Sequence, residues 1–146
     1  MNTIEKLIEV YCDNFVAYYR AHSSHLNITG RTFGQDHQTL NKIYSDMQEN
    51  IDTIGELVRA CGEKAPETIS DIIMGADLSD DVAGTDATSD DLLAFTLEAL
   101  EHLIETYHEL SDIATAENYP EIQNFAADRI RFHKKSAWMI KATLSE

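Results

Sequence analysis

The segment His25-Leu26-Asn27-Ile28-Thr29-Gly30-Arg31-Thr32-Phe33 is followed by His37, then by Asp52-Thr53-Ile54-Gly55-Glu56, and closes at Gly62. From about Gly34 to Cys61, the residues Leu40, Ile43, Tyr44, Met47, Ile51, Ile54, Leu57, Val58 and Cys61 recur on one stripe, as a helix with one buried face requires. Gly62 stands where a helix C-terminal cap wants a left-handed residue. Asn27 to Thr32 reads as a short connector broken at Gly30, so the helix before it and the helix after it are antiparallel neighbours.

Working outward, residues 3–27 form the preceding helix, with Ile4, Leu7, Ile8, Tyr11, Phe15, Tyr18, Tyr19 and His22 on its apolar face. Downstream, Pro66 fits the first turn of a short helix over 66–74, where its missing N–H is no loss. Gly75 to Asp90 is rich in Asp, Ser, Thr and Gly and reads as loop. A third long helix starts near Ser89 or Asp90, either a competent cap, and buries Leu92, Leu93, Leu97, Leu100, Leu103, Ile104, Tyr107, Leu110 and Ile113. It ends around Ala116–Asn118. Pro120 opens a last helix that runs to about Leu144, with core positions Ile122, Phe125, Ala126, Ile130, Ala137, Trp138 and Ile140. Two helical pairs joined by one long crossover make an all-α, ferritin-like four-helix bundle whose central crossover carries a short helix, one domain over residues 1–146.

Composition sets bounds on function. With 11 Lys and Arg against 26 Asp and Glu, the formal charge is −15, which repels nucleic-acid backbones unless the few cations are concentrated. Arg129, Arg131, Lys134, Lys135 and Lys141 share the last helix, as an anion patch or as a solvated face with cations toward the C-terminal end. No signal peptide is evident, and no apolar run is long enough for a membrane helix, so a cytoplasmic protein is expected. Cys12 and Cys61 fit no metal-ligand spacing and read as reduced thiols.

Asp52 and Glu56 lie four apart and project from one helical face. The connector between His25 and His37 is short enough to bring the two imidazoles together. Two imidazoles and two carboxylates make a mixed N/O set suited to iron or another first-row divalent ion, zinc and manganese included. The plain alternative is histidines near helix ends and an i,i+4 carboxylate pair on a solvated surface. Glu105-Thr106-Tyr107-His108 is a Glu-x-x-His, the element of intrasubunit di-iron sites, but the last helix offers no second copy. His22 reads as a packed helix residue, and His102 and His133 stand alone.

Taken together, His25, Asn27, Gly30, Phe33, His37, Asp52 and Glu56 resemble the signature of the Dps (miniferritin) family, and Trp138-Met139 resembles the pair near that family's C-terminus. The resemblance implies a homo-oligomer, a dodecameric shell. It also implies a ferroxidase centre across a two-fold interface, with His25 and His37 from one subunit and Asp52 and Glu56 from its partner. Fe(II) would be oxidised, preferably by hydrogen peroxide, and ferric mineral stored inside, protecting against oxidative stress. Glu117, Glu121 and Asp128 would line a three-fold iron pore, with simple helix-dipole stabilisation by Glu121 as the alternative.

Three positions depart from the family pattern. Asn41 stands where an acidic residue usually bridges toward the metal, Leu26 replaces the Trp after the first His, and Gln38 replaces a Glu. Asn41 is the weakened ligand. A structural cage with a degenerate metal centre is therefore the second reading, and a monomeric helical binding module a third. Family members bind DNA through a basic tail; with none here and strong acidity, direct DNA binding is not expected, and nucleoid association stays open but without support from the charge.

Overall fold

The computed structural model describes residues 1–145. Five helices follow one another: α1 (Thr3–Asn27), α2 (Phe33–Ala60), α3 (Ile69–Gly75), α4 (Ser89–Ala116) and α5 (Pro120–Leu144). Helix α1 packs against α2 and α4, α4 packs against α5, and the short α3 leans on α1. The two antiparallel pairs and the crossover are those expected from the hydrophobic pattern.

The helix ends follow from local chemistry. Asn2 caps α1 in a reciprocal capping box with Glu5, so two otherwise orphaned N–H groups are satisfied. At the end of α2, Gly62 adopts φ +93°, and the Glu63 N–H reaches the Val58 carbonyl to close the turn. The end of α4 does the same with Asn118 at φ 63°, so Tyr119 N–H reaches the Ala114 carbonyl. Pro120 then opens α5 as expected.

Three local expectations are corrected. Helix α3 starts at Ile69 under a Thr68 cap, leaving Pro66 outside it, because Thr68 Oγ1 can accept from Asp71 N–H. Helix α4 is capped by Thr88, not by Ser89 or Asp90: Thr88 and Asp91 form the capping box. Trp138, placed in the core by periodicity, is 65% exposed, while Ser136, Ala137 and Ile140 carry that turn's burial.

The core runs the length of the bundle through Leu7, Val10, Leu40, Met47, Ile54, Leu100, Leu103, Tyr107, Leu110, Ile122 and Ile140. Each such side chain contributes about 2 kcal/mol through area removed from water. On α1 the core stripe is Leu7, Val10, Asn14, Ala17 and Ala21, and the stripe of larger residues, Ile8, Tyr11, Phe15 and Tyr18, is half-buried beside it. Tyr19, also assigned to that face, is 56% exposed. Small residues on the true core stripe let the helices approach closely, and the aromatic stripe fills the rim of the α1–α2 seam.

The crossover is tied down by one buried carboxylate. Asp13 Oδ1 accepts from the N–H groups of both Asp77 and Leu78 at 2.8 Å, while Oδ2 lies 3.1 Å from His102 Nε2. Burial pushes the Asp13 carboxyl up from its ordinary value, and the hydrogen bonds from Leu78 and His102 oppose that. His102, which the sequence left without a role, thus joins α4 to the crossover through α1.

Candidate metal centre

Helix α1 ends one residue before Ile28, which tucks into the core, and Gly30 turns the chain at φ +107°. This tight return lays the first turns of α2 beside the last turn of α1. His25 and His37 consequently stack, ring centroids 3.7 Å apart and planes inclined by 18°. Each imidazole holds the other's backbone: His25 Nδ1 donates to the His37 carbonyl at 2.8 Å, and His37 Nδ1 donates to the His25 carbonyl at 2.8 Å. A carbonyl can only accept, so both Nδ1 atoms carry the proton and both Nε2 lone pairs are left for a ligand. Backbone partners of this kind fix tautomer and ring orientation in metal-binding histidines. Phe33 stacks on the outer face of His37 at 4.8 Å, which completes the clamp.

An open pocket of about 380 Å³ lies against the pair, lined by His25, His37, Gln38, Asn41 and Lys42. It contains no carboxylate from this chain. Asp52 and Glu56 line a different pocket further along α2, with Tyr11, Gln48, Ile51 and Gly55. Fifteen residues of helix separate His37 from Asp52, or about 22 Å at 1.5 Å per residue. Among the described residues of one chain, no three His, Cys, Asp or Glu side chains gather to hold a metal. The expected ligands therefore come together as two pairs, and the pairs remain apart within the subunit. The Glu105/His108 alternative likewise assembles nothing, and both residues are exposed.

The expected pore residues are employed locally. Glu117 Oε1 accepts from the Thr3 N–H at 2.6 Å and from the Thr3 hydroxyl, and these bonds hold its carboxyl below the usual carboxylate range. Asp128 pairs with Arg131 at 2.9 Å. Glu121 lies exposed in the first turn of α5, where the helix dipole favours it. Of the cations on α5, Arg129 is buried against Asp46, whereas Lys134 and Lys141 line one pocket, in which Lys141 pairs with Glu101 at 3.4 Å.

Two polar clusters escaped sequence reasoning. Arg129 reaches from α5 to Asp46 on α2 and to His133 Nε2 at 3.1 Å, deep in the bundle. Burial, then the Arg129 charge, hold His133 well below the ordinary histidine range; burial pushes the Tyr107 phenol in the same layer up to about 12. Arg129 and His133, four apart on α5, were the only signal available. The second cluster adjoins the histidine pair: His22 stacks on Tyr44 with centroids 4.0 Å apart, and Tyr18 Oη lies 2.7 Å from His22 Nδ1. Burial and then neighbouring His25 hold His22 below its ordinary pKa.

The family model for the ferritin-like domain matches residues 4–146. The chain is 26% identical over 140 residues to antigen TpF1 of Treponema pallidum, covering 96% of this chain and 78% of that protein. Its fold superposes on Helicobacter cinaedi CAIP with a TM-score of 0.91 at 25% identity, over 99% of this chain and 100% of the other. It superposes on Dps from Listeria monocytogenes with a TM-score of 0.95 at 22% identity, over 100% and 95% of the two chains. The chain belongs to the ferritin-like family, and its five-helix fold is that of the Dps proteins, the miniferritin branch.

Proposed function

We propose that this protein is the subunit of an iron-storing cage and oxidises Fe(II) at a centre shared between two subunits, with hydrogen peroxide as the oxidant. The observation that carries the reading is the reciprocal clamp of His25 and His37, which presents two Nε2 lone pairs at the surface with no carboxylate from the same chain beside them. Imidazole nitrogen with carboxylate oxygen suits iron, and zinc or manganese at the same place. A two-fold operator near the middle of α2 would place the partner's acidic pair over this chain's histidines, and the reverse, since such an interface is isologous. In that arrangement the centre is formed by His25 and His37 of one subunit with Asp52 and Glu56 of the other, with Asn41 as a neutral, weaker donor at its edge. Fe(II) is substrate and cargo: the imidazoles bind it, the carboxylates compensate its charge as it becomes Fe(III), and the acidic surface draws the cation in. Exposed Tyr19, Leu26, Phe33, Ile69, Met74, Val82 and Trp138 fit a chain that buries surface against copies of itself.

The pocket lining favours a second reading. Asn41 and Lys42, a neutral amide and an ammonium, stand beside the histidines, so the centre is less anionic than iron prefers, as in a structural cage that has lost its metal chemistry. Anaerobic Fe(II) addition followed by peroxide separates the two. Ferric absorbance that rises fast in the parent and at background rate in a His25→Ala/His37→Ala variant is the expected result. Background rates in both would leave the structural cage.

A further inference from the structure

The exposed face of α2 divides by charge. Its first half carries Lys42 beside the histidine pair, and its second half carries Glu49, Asp52 and Glu56. At helical spacing Lys42 meets no anion of its own: Gln38, Thr39 and Ser45 are neutral, and Asp46, four residues on, is engaged by the buried Arg129. Glu49 has Ser45 and Thr53 at four residues and the like-charged Asp46 and Asp52 at three. Among the described residues neither side chain enters an ion pair within the chain. Lys42 and Glu49 are seven residues apart, close to two helical turns, so they stand on one stripe of α2.

We propose that Lys42 of one subunit pairs with Glu49 of the partner subunit, and Glu49 with Lys42 of the partner subunit, and that these two ion pairs set the register in which α2 meets its own copy. This rests on the shared-centre reading above. For His37 to lie opposite Asp52 and Glu56 of the partner subunit, the two-fold axis crosses a pair of antiparallel α2 helices between Ser45 and Asp46, midway between His37 and the centre of the acidic pair. Lys42 and Glu49 are equally distant from that point, on opposite sides of it. A two-fold axis lying in the interface reverses the direction of a stripe but keeps it on its own side, so Lys42 arrives opposite Glu49 in both halves. One sequence thereby supplies two complementary pairs. A slip of one helical turn separates the charges and carries the carboxylates about 5.4 Å from the imidazoles. In the assembled pair Glu49 also compensates the ammonium that stands beside the histidines in the single chain.

Charge reversal tests the pairing. Lys42→Glu subunits carry acid at both positions and Glu49→Lys subunits carry base at both. Both sites are exposed, so the fold is retained, which circular dichroism checks. Each variant alone faces like charge across the axis and is expected to need roughly tenfold or more protein to associate at low salt. Mixed one to one, with one variant isotopically labelled, the two are complementary in both pairs. Native mass spectrometry should then show mixed pairs in preference to either self-pair, with association restored to the parent's level. Self-association of each variant as strong as the parent's, or a statistical mixture of pairs, overturns the proposal; so does a weakening that mixing does not relieve. Ferric absorbance after Fe(II) and peroxide reports on the underlying reading separately. Selective mixed pairing with no iron oxidation in the parent keeps the ion pairs and defeats the iron reading. Iron oxidation in a parent whose charge variants pair at random defeats the ion pairs alone.

Discussion

At the scale of single residues, the metal pocket and the bundle centre show what a few polar atoms control. Position 41 is the direct lever on the pocket. Asn41→Asp adds an anionic oxygen beside His37 and Lys42 and is expected to tighten Co(II) or Zn(II) binding about tenfold, the scale on which even outer-shell partners act; metal titration by calorimetry reads it. In the bundle centre, Asp46 compensates the buried charge of Arg129. Asp46→Asn strands that charge and should destabilise the fold by about 3 kcal/mol, seen as a lower denaturation midpoint. His133 sets an acid limit. It stays neutral in the folded bundle, whereas the unfolded chain protonates it below about pH 6.5, so unfolding takes up a proton in acid. The contribution of the neutral ring is complete above that pH and is lost as pH falls toward the depressed native value. His133→Phe, flanked as it is by Arg129, Tyr107 and Asp46, should flatten the drop in thermal midpoint between pH 7 and 5.

Among the elements, the helix starts and the crossover carry the specific chemistry. Glu117 links the end of α4 to the start of α1 by accepting from Thr3, and its carboxyl is held below the ordinary range. Its contribution is present above the ordinary glutamate value of about 4.3 and disappears as pH falls through the native one. Glu117→Gln should lower the thermal midpoint at neutral pH, and the gap to the parent should narrow as pH falls below the ordinary glutamate value of about 4.3. Asp13 does the same service for the crossover, bonding Asp77 and Leu78 across 64 and 65 residues of sequence. Asp13→Ala removes the acceptor from two N–H groups at once. Hydrogen exchange should quicken at Asp77 and Leu78 while the middle of α4 stays protected.

For the whole molecule, the division of ligands between subunits makes the sharpest prediction. A shell co-assembled from His25→Ala/His37→Ala subunits and Asp52→Ala/Glu56→Ala subunits would contain mixed two-fold interfaces, each with one centre intact and one doubly damaged. Random mixing makes half the interfaces mixed, so oxidation at roughly a quarter of the parent rate is expected, although each variant alone is inactive. Activity no higher than the separate variants would show that the two ligand pairs never meet.

Much of this was legible in the chain. The 3.6-residue period placed four long helices, and Gly62 and Pro120 act locally, so their caps were readable. The spacing of His25 and His37 around Gly30 allowed the imidazoles to meet, because the connector is short; that they stack was decided by the packing of α1 on α2. Trp138 was misplaced because periodicity reports which face a residue occupies, not whether another element covers that turn. That Glu117 accepts from Thr3 was not readable, because Thr3 lies at the other end of the sequence. Sequence by itself determined the helices, their pairing and the donor types of the candidate centre, since these rest on interactions a few residues apart. Only the tertiary structure decided that the two histidines lock each other's tautomers, that Arg129 and His133 are buried rather than solvated, and that the carboxylate pair lies beyond the reach of the imidazoles in one chain. Those outcomes depend on how rigid helices separate and juxtapose distant residues, which no local pattern encodes.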